Sequence, residues 1–201
     1  MNSLPAIAPY KIQKITRETH NVILWEVVPE QGETPYYKPG QFAMIHLMNP
    51  DGSVWKKKPY SMSSSPTEKK FLEFGIKIHG DFTQKMETLE VGERILIQAP
   101  FGFFVYEPDI HKDVVFFAGG IGATPFLAMI RFFSQSAPQN KITMFYCNQT
   151  ELDVSYKTVI DGLAAQNKNF SVIYSLDKRV TDGWTGEVGF ISEELIKKHV
   201  P

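Results

Sequence analysis

Two short segments hold side chains suited to cofactor chemistry. Lys58-Pro59-Tyr60-Ser61 places a cation, an aromatic ring and a hydroxyl within four residues. That set suits a flat, phosphorylated, redox-active ring system. In an extended chain Lys58 and Tyr60 project to one side, so the ammonium can meet a phosphate while the phenol packs on a ring. Ser61 then turns its hydroxyl toward a ring nitrogen. Gly119-Gly120-Ile121-Gly122-Ala123-Thr124-Pro125 follows the apolar run Val114 to Ala118. Glycines let backbone approach a ligand, and a helix start attracts an anion. Thr124 reads as the N-cap and Pro125 as the first helical residue. Proline stands where the usual dinucleotide fingerprint has its third glycine.

A third segment, Ile76-Lys77-Ile78-His79-Gly80-Asp81-Phe82-Thr83, runs from a strand through a glycine into a helix. Its N–H groups and the Thr83 hydroxyl suit a pyrophosphate. The Asp81 carboxylate would repel phosphate, so it is expected to cap the helix and face water.

The elements that must position these residues change period along the chain. Up to Gln98, short runs rich in strand formers alternate with Gly, Pro, Asn and Asp turns, as in an antiparallel β-barrel. The strand candidates are Val22 to Val28, Phe42 to Leu47, Ser53 to Ser64, Phe71 to Ile78 and Arg94 to Gln98, with a short helix over Phe82 to Leu89. From Asp113 onward strands and helices alternate. Strands are expected over Asp113 to Ala118, Lys141 to Cys147 and Phe170 to Leu176, and helices over Pro125 to Ser134, Ser155 to Gln166 and Ser192 to His199. Near-continuous apolar strands between helices mean a parallel sheet covered on both faces. The boundary falls at Tyr106 to Asp109, dividing the chain into a β-barrel domain, 1–109, and an α/β nucleotide-binding domain, 110–201.

Composition narrows the functions. The 201 residues carry a net charge of -1, which gives no general pull toward nucleic acid. A single cysteine, Cys147, excludes an intrachain disulfide and a four-cysteine iron–sulfur cluster held by this chain alone. Met1 to Tyr10 lacks the pattern of a signal peptide, and the longest uncharged stretch is short and glycine-rich for a membrane span. A cytoplasmic location is expected.

Lys38-Pro39-Gly40-Gln41-Phe42, the KPYS motif, Pro100-Phe101-Gly102-Phe103-Phe104 and GGIGATP together resemble the ferredoxin–NADP reductase superfamily. The second half is most similar to NADH–cytochrome b5 reductases, through Asn148 to Asp153, Tyr174 to Asp177 and Gly189 to Leu195. The resemblance implies a flavin-binding barrel followed by a nicotinamide-binding domain. It implies that Lys58, where the family has arginine, binds the flavin phosphates, and that Tyr60 lies along the isoalloxazine. Pro59 belongs to the same motif, and Ser61, the catalytic residue, would hydrogen-bond near flavin N5. Ile76, Lys77 and Ile78 would line the adenine and pyrophosphate side, and Gly80, Phe82 and Thr83 would close over the phosphates. Gly119, Gly120, Gly122, Thr124 and Pro125 would form the nicotinamide-nucleotide turn. Asp177 would favour NADH over NADPH, as an acid suits a ribose 2′-hydroxyl; Lys178 and Arg179 argue the other way.

The implied activity is hydride transfer from NADH to FAD and then electron transfer to a protein or small-molecule acceptor. The alternatives are a non-catalytic flavin-binding electron-transfer subunit that needs a partner chain, and FMN in place of FAD. The family continues past the point corresponding to Pro201, so the nucleotide domain is expected to be incomplete, with an open edge at its first strand.

Overall fold

The computed structural model describes residues 4–179 and 182–200, with the side chain of residue 179 excluded. Met1 to Ser3, the Arg179 side chain, Val180, Thr181 and Pro201 therefore lie outside the described residues.

The first half is a six-stranded antiparallel sheet. Its strands are β1 (Ile7–Thr19), β2 (Val22–Pro29), β3 (Phe42–Met48), β4 (Val54–Ser61), β5 (Leu72–Lys77) and β6 (Arg94–Phe101), in the order β4-β3-β6-β1-β2-β5. The sheet curls until its edges meet at the bridge Met62–Phe74, which gives the barrel form. Trp25, Phe74 and Ile45 fill its interior, and helix α1 (Asp81–Glu87) contributes Phe82 and Met86. The long strand β1 is absent from the sequence reading. Its buried Tyr10 and Ile12 alternate with exposed Lys11 and polar neighbours, so no apolar run marks it.

The second half is a four-stranded parallel sheet of β7 (Asp113–Gly119), β8 (Lys141–Thr150), β9 (Phe170–Arg179) and the short β10 (Glu187–Val188), ordered β10-β9-β8-β7. Helices α2 (Thr124–Ser136), α3 (Lys157–Gln166) and α4 (Glu193–His199) follow β7, β8 and β10. Among the described residues β7 is an edge strand, with Phe117 exposed. No described helix is long and apolar enough to cross a membrane.

Strand β5 joins the halves. Five of its six residues are buried, because both faces are covered. Leu72, Phe74 and Ile76 point into the barrel core. The alternate positions Glu73, Gly75 and Lys77 face the second domain, as the two-residue period of a strand requires. Gly75 is needed there: a Cβ would lie 2.1 Å from the Tyr156 hydroxyl and 3.0 Å from Ile121 Cδ1. A second close approach occurs at Gly40, at φ 103°, where a Cβ would meet Met129 of α2 at 2.3 Å.

Candidate cofactor site

Two adjoining clefts open where β5 meets the second domain. The first, about 320 Å³, is lined by Pro59, Tyr60, Ser61, Gly75, Lys77 and Thr83 from the barrel and by Ile121, Gly122, Thr124 and Pro125 from the other half. The second, about 280 Å³, lies at the carboxyl ends of β7, β8 and β9, and Gly119, Gly120, Cys147, Asn148, Asp153 and Asp177 line it. Ligands of open α/β sheets bind at these strand ends. Lys77 lines both clefts and so stands where the two meet.

Strand β4 delivers the first motif. Tyr60 stacks on Phe82 at 6.1 Å between centroids, and Trp55 stacks on the same ring. Lys58 Nζ lies 5.6 Å from that ring's centroid, so Lys58 and Tyr60 share a side as expected. Burial pushes the Tyr60 phenol up to about 12, which keeps it a neutral hydrogen-bond donor at ordinary pH.

Several predicted side chains fall elsewhere. Ile76 is fully buried in the barrel core, so a ligand can meet only its backbone. Phe82 is likewise internal, a support for Tyr60. Lys58, Ile78 and Gly80 do not line the cleft. Asp81 is not the N-cap; Gly80 is, at φ 81°, and Asp81 begins the helix. Its carboxylate pairs with Lys56 and accepts from the Phe82 N–H, and these, in that order, hold it below the usual carboxylate range. The Thr83 hydroxyl donates to Gly80 O at 3.2 Å and accepts from the His79 N–H at 2.6 Å, so it closes the turn as well as lining the cleft.

Strand β7 delivers the second motif. A 3₁₀ turn, Gly120–Ala123, intervenes before α2, which starts at Thr124 with Ala123 as its N-cap. Thr124 is therefore not the cap; its hydroxyl donates to Ile121 O at 2.7 Å and holds the turn. Gly120 is at φ 48°, and nothing lies within 4 Å of a Cβ added to Gly120 or Gly122. The space over the turn is open on the ligand side.

The sequence reading missed the role of Asn148. Its side chain is buried, lines the second cleft, and both amide atoms lack a hydrogen-bond partner among the described residues. Asp177 Oδ1 is likewise buried and unpartnered. Unmet donors and acceptors at the floor of a cleft suit a polar ligand. Beside them burial, and then the Asp177 charge, raise the Cys147 thiol, which stays protonated. Lys178 is held at the rim by Gln149 Oε1 at 2.9 Å.

The glycine turn, the orphaned amide and carboxylate, and the Lys77 ammonium fit a pair of phosphorylated cofactors. FAD would be held by Tyr60, Ser61 and the β5–α1 segment, and a nicotinamide nucleotide by the Gly119–Thr124 turn, Asn148 and Asp177. A curled antiparallel barrel joined through such a cleft to a parallel nucleotide-binding sheet defines the class: a two-domain flavin- and nicotinamide-binding oxidoreductase fold.

Comparison with known proteins agrees. The Oxidoreductase FAD-binding domain family matches residues 9–106, and the Oxidoreductase NAD-binding domain family matches residues 116–201. NADH-cytochrome b5 reductase 1 of Pyricularia oryzae is 30% identical over 201 residues, covering 96% of this chain and 65% of that protein. NADH-cytochrome b5 reductase 1 of Eremothecium gossypii is 34% identical over 149 residues, covering 71% of this chain and 51% of that one. The chain thus spans between about half and two thirds of the length of these relatives. The cytochrome b5 reductase domain of Ulva prolifera nitrate reductase shares the fold, with a TM-score of 0.82, 21% identity and coverage of 96% of this chain and 81% of that one. The CS-b5R domains of human Ncb5or give a TM-score of 0.83 at 24% identity, over 98% and 59% of the two chains. The chain therefore carries an oxidoreductase FAD-binding domain followed by an oxidoreductase NAD-binding domain, has a ferredoxin–NADP reductase-like fold, and is a homologue of the NADH–cytochrome b5 reductases.

Proposed function

We propose that this protein is an FAD-dependent NADH reductase. The carrying observation is that Tyr60 and Ser61 of the barrel share one cleft with Gly122, Thr124 and Pro125, and that Lys77 extends it into the pocket of Asn148 and Asp177. FAD would supply the redox chemistry, accepting hydride from NADH and releasing electrons singly. The chain's own residues bind and orient. Tyr60 packs along the flavin, Ser61 offers a hydroxyl close to the position that receives hydride, and Lys58 and Lys77 offset phosphate charge. Asp177 takes the adenosine ribose and disfavours a 2′-phosphate, so NADH is the preferred donor over NADPH.

No side-chain acid–base pair is needed, because positioning two rings face to face does most of the work. The acceptor is a protein or small molecule; the relatives' names make a cytochrome b5 the first to test.

The test is a visible spectrum of the purified protein followed by anaerobic addition of NADH. A flavin spectrum that bleaches on mixing supports the proposal. A chain that takes up FAD but stays oxidised with excess NADH supports the non-catalytic flavin-binding subunit instead.

A further inference from the structure

Glu73 is a carboxylate in the middle of a buried strand, only 7% exposed, on the face of β5 that also presents Lys77 to the clefts. A charge so placed needs a partner. The partner comes from the other domain: Arg131 of α2 donates from Nη1 to Glu73 Oε1 at 2.8 Å, with Nη2 3.5 Å from Oε2. The same Nη1 donates to Ser63 O at 2.8 Å, and Ser63 Oγ donates to Glu73 Oε1 at 2.6 Å. One helical turn further on, Gln135 Oε1 accepts from Ser65 Oγ at 3.0 Å. The loop leaving the flavin motif at Ser61 is therefore tied to the helix that follows the glycine turn.

We infer that Arg131 is a positioning residue for hydride transfer. It acts with Glu73 as a clasp that fixes the angle between the two cofactor sites.

The lever is short and stiff. Glu73 and Lys77 sit on one strand, about 13 Å apart. Arg131 and Thr124 sit on one helix, about 10 Å apart. Strand and helix transmit a shift at the clasp to the cleft with little loss. Hydride transfer is the step most sensitive to such a shift, because reacting atoms must stay about 3–3.5 Å apart. Binding of either nucleotide to its own domain is far less sensitive. Arginine suits this place because its planar fork reaches a carboxylate and a carbonyl together, whereas lysine offers a single ammonium. A buried ion pair is weak evidence for stability by itself, and it is better explained here by the geometry that it enforces.

The inference rests on the proposed NADH–FAD reaction, so the test carries one arm that does not use NADH. In the first arm FAD-loaded wild type, Arg131→Gln and Arg131→Lys are mixed with NADH in an anaerobic stopped-flow instrument. Arg131→Gln should lower the limiting rate of flavin bleaching at least tenfold. The NADH concentration giving half that rate, and the affinity for FAD, should stay within threefold. Arg131→Lys should recover a substantial part of the rate.

In the second arm spin labels are placed at Val91→Cys in the barrel and Leu152→Cys in the second domain, both exposed positions, with Cys147→Ser removing the native thiol. Arg131→Gln should at least double the width of the inter-label distance distribution. An unchanged width, or a wild-type limiting rate in Arg131→Gln, overturns the clasp. Failure of NADH to bleach the wild type overturns the proposed function, and the distance arm then judges whether Arg131 holds the domains. Parallel loss of FAD affinity in both Arg131 variants shows a purely structural role and also overturns the inference.

Discussion

Replacing Gly75 by alanine should destabilise the protein, although alanine normally improves a strand. A Cβ there would stand 2.1 Å from the Tyr156 hydroxyl oxygen and 3.0 Å from both Tyr156 Cζ and Ile121 Cδ1. The first distance is more than an ångström short of ordinary contact. Tyr156 has little room to withdraw. It is fully buried, its backbone is left-handed at φ 60°, and its N–H donates to Glu18 Oε1 at 2.6 Å. Forcing a methyl group into such a site costs about 1–3 kcal/mol. The entropic gain from removing a glycine is roughly 0.4–1 kcal/mol, so overpacking wins. With a urea m-value of about 1–3 kcal/mol/M, the unfolding midpoint should fall by roughly half to one molar. Tyr156→Phe alone should be near neutral, because the hydroxyl it removes is buried and makes no hydrogen bond among the described residues. The double variant should regain most of the loss. The reasoning is refuted if Gly75→Ala unfolds at the wild-type urea concentration, or if the double variant is no more stable than the single.

Other perturbations separate the remaining roles. Lys58→Ala should weaken FAD binding by about 1.5–3 kcal/mol through loss of a charge-assisted phosphate contact; an unchanged titration would remove Lys58 from the site. Asp177→Thr should shrink the NADH-over-NADPH ratio of kcat/KM about tenfold, or about 1.4 kcal/mol, and a wild type that favours NADPH would contradict the assignment. His46, buried in β3 and facing the charge of Lys57, has its imidazole held below 6.5 by desolvation first and that lysine second. Protonation therefore favours the unfolded chain. Stability should be full above about pH 6.5 and decline as the pH falls through the lowered folded value. Thermal melts between about pH 5 and 7.5 should show that decline flattened in His46→Leu; equal slopes in the two proteins would exclude it.

The second half was legible because its central strands are continuous apolar runs between helical stretches, and Lys141–Thr150 and Phe170–Arg179 extend the expected spans only at their ends. The KPYS and GGIGATP segments were legible because each concentrates unusual chemistry in a few residues, and the structure brings Tyr60, Ser61, Gly122 and Thr124 into one cleft. Strand β1 was not, since its outward lysines dilute the alternation. The start of α2 moved because Thr124 closes a 3₁₀ turn, which a capping rule does not anticipate. Glu73 and Arg131 stand 58 residues apart, beyond any local pattern. One signal was present: Leu72-Glu73-Phe74-Gly75-Ile76 holds a lone carboxylate in an apolar strand, and such a residue asks for a distant cation. Asn148 gave none, because an unmet amide is visible only once its surroundings are known.

The contact between Tyr156 and the barrel bears on how freely the halves can be exchanged. Each is a recognisable unit, and a protein engineer would be tempted to graft the nucleotide-binding half onto the barrel of another reductase. Yet the tyrosine of one half fills the notch left by a glycine of the other, and its backbone N–H takes a carboxylate from β1. Met129 fits against Gly40 in the same manner. A transplant that carried only one member of each pair would meet a collision or leave a hole. The natural cut for a chimera therefore does not follow the linker alone. It must bring Glu18, Gly40 and Gly75 along with Met129 and Tyr156, as parts of a single mould divided between two castings.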